Sequence, residues 1–171
     1  MAGHAPQPGA DRPPIGERFP RAFSLKRRRL IRPLFSRDRP DVSEVSAGVV
    51  KALYRLASPG EVGARVLFQV GFAPGRRART NAGRTHLRRL MRETFRVHQQ
   101  PLVDLLGVER GADPATANRP VLTVMLLFRG REATASADLR RDVPRVIARL
   151  AGRLAAGGGI PDGQAAVNPE R

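Results

Sequence analysis

Apolar residues are concentrated in three strand-like runs along the chain. Residues 48–56 and 65–72 are rich in Val, Leu and aromatic side chains and are separated by Ser58-Pro59-Gly60. This pattern predicts two strands that form an antiparallel pair. Residues 120–128 are apolar almost throughout, which is typical of a strand buried on both faces. We therefore expect this third strand at the centre of a sheet.

Other segments carry apolar residues at helical spacing. The first is a basic segment, residues 25–35, in which Pro33 would strain the last turn. Residues 84–96 have the same spacing, with Thr80 or Asn81 as the N-cap, and a weaker patch covers 102–106. A final amphipathic helix carries the stripe Leu139, Val143, Val146, Ile147, Leu150 and Leu154. It is expected to begin near Asp138, or near Asp142 if Pro144 lies in its first turn.

The order helix, strands, helix, strand, helix predicts a single α+β domain, as the length of 171 residues also suggests. Residues 1–20 and 155–171 are rich in Pro, Gly and Ala and have few large apolar groups. Such segments cannot offset the entropy of ordering. They are predicted to be disordered tails around a folded unit at 21–154.

Charge narrows the range of functions. The chain has 31 Lys and Arg against 15 Asp and Glu, a formal net charge of +16. This excess predicts binding to a polyanion. Only Lys26 and Lys51 are lysines, and arginine can hold a phosphate with two parallel hydrogen bonds. A GC-rich coding sequence also favours arginine, but it does not explain the net charge.

The absence of cysteine removes disulfides, thiolate metal sites and cysteine nucleophiles, and it favours an intracellular protein. There is also no apolar run of the roughly 20 residues that a membrane span needs. The N-terminal residues lack the apolar core of a signal peptide. We therefore expect a cytoplasmic protein that binds no membrane.

The most unusual stretch is RTHLRRLMRETFR, residues 84–96. On a helix, Leu87, Leu90, Met91, Thr94 and Phe95 share one arc, while Arg84, Arg88, Arg92 and Arg96 form an i, i+4 ridge that Arg89 extends. Glu93 can reach Arg89 or Arg96. Eight arginines face this one acid between residues 76 and 96, so we predict phosphate binding. The eight are Arg76, Arg77, Arg79, Arg84, Arg88, Arg89, Arg92 and Arg96.

A basic amphipathic helix is also compatible with three further roles. Its arginines could simply be solvated, or the helix could lie on an anionic membrane. Strands that need a helix to cover them argue against the membrane. A recognition helix in duplex DNA is the third alternative, but helix-turn-helix domains do not place strands on both sides.

The stretch resembles the signature helix of the protein subunit of bacterial ribonuclease P, Arg-Asn-Arg-x-Lys-Arg-x-x-Arg-Glu-x-Phe-Arg. Arg84 and residues 88–96 follow this pattern with Arg88 in place of Lys, whereas Thr85 and His86 replace Asn-Arg. Residues 25–35 resemble the family's first basic helix, and 73–76 resemble its Val-Pro-Lys-Arg. The resemblance covers about 21–154.

It implies a two-layer α/β sandwich shared with a domain of a small-subunit ribosomal protein. The order would be αβββαβα around a central sheet, with a left-handed crossover. A fourth strand would then lie near 42–46.

The implied activity is endonucleolytic removal of the 5′ leader from precursor tRNA. The catalytic RNA subunit would perform the chemistry with Mg²⁺, and the protein alone would bind no metal. The protein would bind that RNA and the precursor tRNA, and not DNA, through the eight arginines with Lys26 and Arg28. The leader would lie in a cleft lined by Ile31, Phe35 and Tyr54, where aromatic rings can stack on bases. A core position for Phe35 remains equally open.

The sequence contains no pattern typical of a protein active site. Its three histidines, His4, His86 and His98, lack the spacing of a zinc site, and Asp38, Asp41 and Glu44 lie in a Pro-containing region where solvation explains them. The alternative function is a structural RNA-binding protein of ribosomal type without a processing role. A DNA-binding regulator is a third hypothesis.

Overall fold

A computed structural model describes residues 19–36, 38–63, 66–76, 78–108 and 120–156. Its strands are β1 (Ser43–Ala47), β2 (Val50–Ala57), β3 (Phe68–Pro74) and β4 (Val121–Phe128). Its α-helices are α1 (Arg28–Leu34), α2 (Pro59–Val62), α3 (Asn81–His98), α4 (Gln100–Val108) and α5 (Ala135–Ala156). Two short 3₁₀ helices, Arg21–Phe23 and Glu132–Thr134, precede α1 and α5.

The four strands form one sheet in the order β1-β2-β4-β3. β4 is parallel to β3 and antiparallel to β2, and its residues are buried on both faces, which confirms its predicted central place. The predicted pairing of 48–56 with 65–72 is wrong. β1 joins one edge of β2 through the turn at Gly48-Val49 and β4 occupies the other edge, so β2 has no edge left for β3.

The observed order contains two helices beyond αβββαβα. α4 covers the weak patch at 102–106, and β1 lies where the fourth strand was expected. α2 replaces a predicted turn, because Ser58 and Glu61 form a capping box that starts one helical turn. The predicted tails, 1–20 and 155–171, lie outside the described residues apart from two residues of each.

Successive residues of the strands face two different helix layers. Val50, Ala52 and Tyr54 of β2 belong to the larger core with α3, α4 and α5, whereas Leu53 and Ala57 belong to the smaller core with α1. We call these two sides of the sheet the α3/α5 face and the α1 face. The mixed α/β domain therefore has two cores that share one sheet.

The α3/α5 face contains most of the aromatic rings. Phe95 of α3 is fully buried and contacts Phe19, Phe68 and Phe72 with ring centroids 5.8–6.1 Å apart. α3 and α5 contact each other, α3 also contacts β3, and α5 also contacts β1 and β2. Each of the two helices thus covers one half of the sheet.

The α1 face is covered by α1 and by the one-turn helix α2, whose Val62 is buried in the same core. Leu30 and Leu34 are buried beside Met125 of β4, and Leu25 belongs to the same core. α1 begins at Arg28, three residues later than predicted, because the Leu25 N–H donates to the Val70 carbonyl at 2.9 Å and holds this residue beside β3. Pro33 lies in the last turn, as the sequence indicated.

α5 begins at Ala135, so both predicted starting points are wrong and Pro144 lies inside the helix. Pro144 has no N–H to donate to the Arg140 carbonyl, which is costly in isolation. The buried stripe that includes Leu139, Val146 and Leu150 continues on both sides of the proline. Packing of this stripe outweighs the local preference. Among the described helices, none is long and apolar enough to cross a membrane.

Candidate RNA interface

α3 is fixed on the sheet in one orientation. Its N-cap is Thr80, as predicted, whose hydroxyl accepts a hydrogen bond from the Gly83 N–H at 3.0 Å. Leu87, Met91 and Phe95 are buried, which confirms the predicted apolar arc. The opposite side of the helix must therefore point outwards.

Three arginines on that outer side have no acidic partner in the described part of the chain. Arg88, Arg89 and Arg92 are exposed, and none is paired with a described carboxylate within 4.0 Å. Like charges at i, i+4 destabilise a helix by a few tenths of a kcal/mol per pair. The buried arc supplies the stability that keeps these charges together, so the helix presents them as a rigid group.

The two ends of the predicted ridge are engaged within the protein. The Arg84 Nε donates to the Ala78 carbonyl at 3.0 Å and ties the preceding loop to α3. Arg96 is half-buried and pairs with Glu93 through bonds of 2.9 and 2.6 Å. The hydrogen bond from Arg96 lowers the pKa of Glu93, so this carboxylate stays charged. The exposed arginines of the ridge that neither a described carboxylate nor a described carbonyl holds are thus its middle members, Arg88 and Arg92, and Arg89.

The remaining predicted phosphate ligands lie on two other segments. Arg76 and Arg79 are exposed in the loop before α3, and Arg77 lies outside the described residues. Lys26 and Arg28 are exposed between the β3 edge, where Leu25 is bonded to Val70, and the start of α1. α3 also packs on β3, but on the opposite face of the sheet from α1.

The predicted leader cleft is only partly assembled. Ile31 and Phe35 lie on the α1 face, and the Phe35 side chain is 49 % exposed, so the core interpretation of this ring is wrong. Tyr54 is 9 % exposed and points to the opposite face, where it belongs to the core with α3 and α5. A strand alternates its side chains between two faces, and Tyr54 follows Val50 and Ala52 inwards. The proposed role of Tyr54 in the cleft is therefore wrong.

An open groove of about 440 Å³ lies beside Phe35 on the α1 face. Its lining residues are Leu34, Phe35, Ser36, Arg39, Val42, Ser43, Glu44, Lys51 and Leu53. Lys51 pairs with Glu44, and Arg39 holds Asp41 through two bonds of 2.8 Å. The hydrogen bond from Arg39 lowers the pKa of Asp41. The groove combines an exposed aromatic ring with two cations, a combination that suits a single-stranded nucleic acid.

Sequence reasoning missed Lys51, Leu53 and Arg39 as groove residues. Lys51 interrupts an apolar strand and faces the same way as Leu53. A lone lysine at such a position indicates that this face of the strand reaches solvent. That signal could have placed the groove beside residues 51–53.

One buried arginine supports the edge of this groove. Arg55 is 4 % exposed and donates to Glu61 at 3.0 Å and to Asp41 at 3.5 Å. The hydrogen bond from Arg55 lowers the pKa of Glu61, which also caps α2. These carboxylates are therefore committed to structural ion pairs. In the described ranges, no group of three His, Asp or Glu side chains could hold a metal ion.

Comparisons with known proteins do not assign this chain to a family. No protein-family model matches the sequence, and no curated protein matches it significantly. A solved structure of the RNase P protein of Staphylococcus aureus aligns with 75 % of this chain and 94 % of its own, at 11 % sequence identity and a TM-score of 0.48. A similarity of this size does not show what this chain does. Its function is therefore inferred from the exposed arginines of α3 and from the groove beside Phe35.

Proposed function

We propose that this protein is the protein subunit of a ribonuclease P, which binds the catalytic RNA and the 5′ leader of precursor tRNA. The observation that carries the proposal is the outer side of α3. Arg88, Arg89 and Arg92 are exposed and lack described acidic partners, and they fall in the part of the sequence, 88–96, that resembles the family signature. Both the charge and the motif thus point to the same side of one helix.

The chemistry of these arginines suits a phosphate backbone. Each guanidinium can donate two parallel hydrogen bonds to a phosphate, and burial of Leu87 and Met91 fixes the helix before RNA arrives. A fixed helix loses less entropy on binding than a flexible arm does. α3 is therefore proposed as the main contact with the catalytic RNA.

The groove on the α1 face is proposed as the leader site. Phe35 offers an exposed ring on which a base can stack, with Ile31 one turn earlier on α1 and Lys51 on β2. A stacked base contributes roughly 1 to 3 kcal/mol. Tyr54 has no part in this site, because its side chain is in the other core.

Bond cleavage is proposed to take place on the RNA subunit, with Mg²⁺ held there. The acids nearest the groove support this division, since Glu44 and Asp41 are paired with Lys51 and Arg39. The protein's proposed contribution is affinity for the substrate and neutralisation of phosphate charge.

A leader-removal assay tests the proposal. The full-length protein, added to a bacterial ribonuclease P RNA at low Mg²⁺, should stimulate cleavage of precursor tRNA, and the protein alone should cleave nothing. The variant R88A/R89A/R92A should weaken RNA binding and flatten its salt dependence, by about 0.7 to 0.9 of slope for each phosphate that is no longer bound. R29A/R32A/R140A, which removes three exposed arginines outside α3, is the matched control.

A lack of stimulation would contradict the proposal. If the protein instead recovered ribosomal RNA from cells and left precursor cleavage unchanged, the structural RNA-binding alternative would replace it. Preference for duplex DNA over the precursor in a competition experiment would favour the DNA-binding alternative.

A further inference from the structure

α5 carries a second row of arginines. Arg141, Arg145, Arg149 and Arg153 follow one another at intervals of four residues, and all four are exposed. Residues four apart lie on the same side of a helix, about 6 Å apart along its axis. The row therefore runs along one side of α5, next to β1.

The two halves of this row differ in their acidic partners. Arg141 is bonded to Asp138 at 3.0 Å and to Asp142 at 2.8 Å, and Arg145 reaches Asp142 only at 3.9 Å. Residues 143–156 contain no acid. The positive charge of the C-terminal half is thus left without close neutralisation from its own helix.

A groove of about 550 Å³ adjoins this half of α5, lined by Glu44, Val45, Ser46, Arg149, Gly152 and Arg153. The Arg149 guanidinium donates to the Ser46 carbonyl on the outer edge of β1, which holds it at the groove. The single acid of the lining, Glu44, is paired with Lys51. The groove is therefore bordered by two arginines and one neutralised acid.

Gly152 lies between these arginines on the helix surface. A glycine inside a helix costs about 1 kcal/mol relative to alanine. A β-carbon at Gly152 would meet no atom within 4 Å, so packing does not require a glycine here. Because Gly152 has no side chain, the backbone of a ligand has room to approach the helix between Arg149 and Arg153.

The two arginine rows lie at opposite edges of the helix layer. α3 covers β3 and α5 covers β1, and these are the two edge strands of the sheet. The Arg149 guanidinium is bonded to Ser46 of β1, so the row on α5 borders the sheet edge opposite the one that α3 covers. The two rows are therefore separate surfaces.

We propose that Arg145, Arg149 and Arg153 form a second phosphate-binding surface, which holds the backbone of a separate segment of folded RNA. The assignment rests on the proposed function, since it takes RNA as the partner of this domain. RNA is favoured over an anionic membrane because the exposed positions between the arginines, Ala148 and Gly152, are too small to insert into lipid.

The test compares three triple variants of the full-length protein: R145Q/R149Q/R153Q on α5, R88Q/R89Q/R92Q on α3, and R29Q/R32Q/R140Q as a control. All three lose the same charge. The control positions are exposed, two on α1 across the sheet and one on the side of α5 opposite Arg149. The probe is a labelled RNA hairpin with no single-stranded leader. Binding is measured across a salt series, with thermal unfolding recorded for each variant.

The α5 variant is expected to lower the salt slope by about 0.9 for each phosphate that its arginines bind in the wild type, and the control by much less. R145Q/R153Q, which keeps Arg149 bonded to β1, should show the part of this effect that Arg145 and Arg153 contribute, and it replaces R145Q/R149Q/R153Q if that variant does not fold. An α5 variant that behaves like the control while the α3 variant loses slope would overturn this inference and leave the proposed function intact.

If the α3 variant has no effect and the α5 variant does, the proposed role of α3 fails but the second surface stands. A second binding experiment measures whether the same variants bind vesicles of phosphatidylglycerol. Binding to them that depends on the α5 arginines, with RNA binding unchanged, would assign the surface to a membrane and overturn the inference.

Discussion

The two faces of the sheet are built from the same four strands, but they are covered very differently. Two long helices pack on the α3/α5 face, and Phe68, Phe95 and Phe128 are fully buried there. The seven-residue α1 and the one-turn α2 cover the other face, where Phe35 is half exposed beside an open groove. The first face can stabilise the fold while the second remains accessible to a ligand.

The two faces also differ in their buried polar residues, most of which lie on the α1 face. The buried polar residues of the strands, Arg55, Gln69 and Thr123, all point to the α1 face, where each makes a hydrogen bond. Buried strand residues on the α3/α5 face are apolar except for Tyr54. Buried polar groups need partners and gain little net stability from them. Most of the folding free energy should therefore come from the α3/α5 face.

The largest effect is expected at the centre of that face. F95A removes a buried ring that contacts three others and should lower the free energy of unfolding by about 3 to 5 kcal/mol. V97A on the same helix is the control, because Val97 is 54 % exposed. Urea denaturation measures the free energy of unfolding of both variants. A loss below that of V97A would show that the ring cluster does not stabilise the fold.

The same truncation on the α1 face should cost less. Leu34 is buried but borders the groove, so the site can partly collapse or be solvated after L34A. We expect a loss of about 2 to 3 kcal/mol, in the lower part of the range for buried leucines. Urea denaturation measures this loss too. A cost equal to that of F95A would mean that the two faces are packed equally well, and the contrast between them would be wrong.

Asp142 is a buried carboxylate beneath the β1–β2 turn, on the well-packed side. It accepts the Val49 N–H at 3.0 Å, and a β-carbon at Gly48, where φ is +53°, would overlap its carboxylate. Hydrogen bonds from Arg141 and then Val49 lower its pKa below the ordinary value. D142A leaves the Val49 N–H unpaired, so at neutral pH we expect a loss of about 1 to 3 kcal/mol.

This contribution depends on pH in a defined direction. Because the folded pKa is depressed, the stabilisation is complete above the unfolded value of about 3.9 and is lost as the pH falls through the lower, folded pKa. The difference between wild type and D142A should therefore shrink in acid. D38A removes an exposed acid and controls for net charge. A difference that stayed constant with pH would assign the effect to packing alone.

A smaller effect is expected where α3 begins. T80A removes the N-cap oxygen that accepts the Gly83 N–H and should cost about 1 kcal/mol, whereas T80S should restore most of it. Thermal or urea denaturation measures both variants. Equal stability of T80A and wild type would mean that packing of α3 on the sheet suffices to hold its first turn.

The features that sequence predicted are those with a local cause. The buried arc of α3, its cap at Thr80 and the two-sided burial of β4 follow from residue spacing over a few turns or a single strand. Pairing of β2 with β4 joins residues far apart in the chain, so the pattern of either strand could not indicate it.

The errors at the candidate site have the same origin. Leu53 and Tyr54 are adjacent and both apolar in character, so alternation shows that they face opposite sides but not which side carries the cleft. The alternative start of α5 near Asp142 is wrong because it follows from Pro144, a local signal that packing of the helix on the sheet overrides. Arg88, Arg89 and Arg92 were predicted as exposed because the buried arc fixes their direction.

The smallest effect on folding is expected at Phe35, where substitution should instead weaken binding of the leader. F35A should change the free energy of unfolding by less than about 0.5 kcal/mol, because the exposed ring leaves little burial to lose. Affinity for precursor tRNA with a leader should fall by roughly 1 to 3 kcal/mol, and affinity for mature tRNA should not change. F35Y keeps a flat ring and should bind like wild type, whereas F35L should not. Equal loss for both RNAs would exclude the groove as a leader site while leaving α3 as an RNA-binding helix.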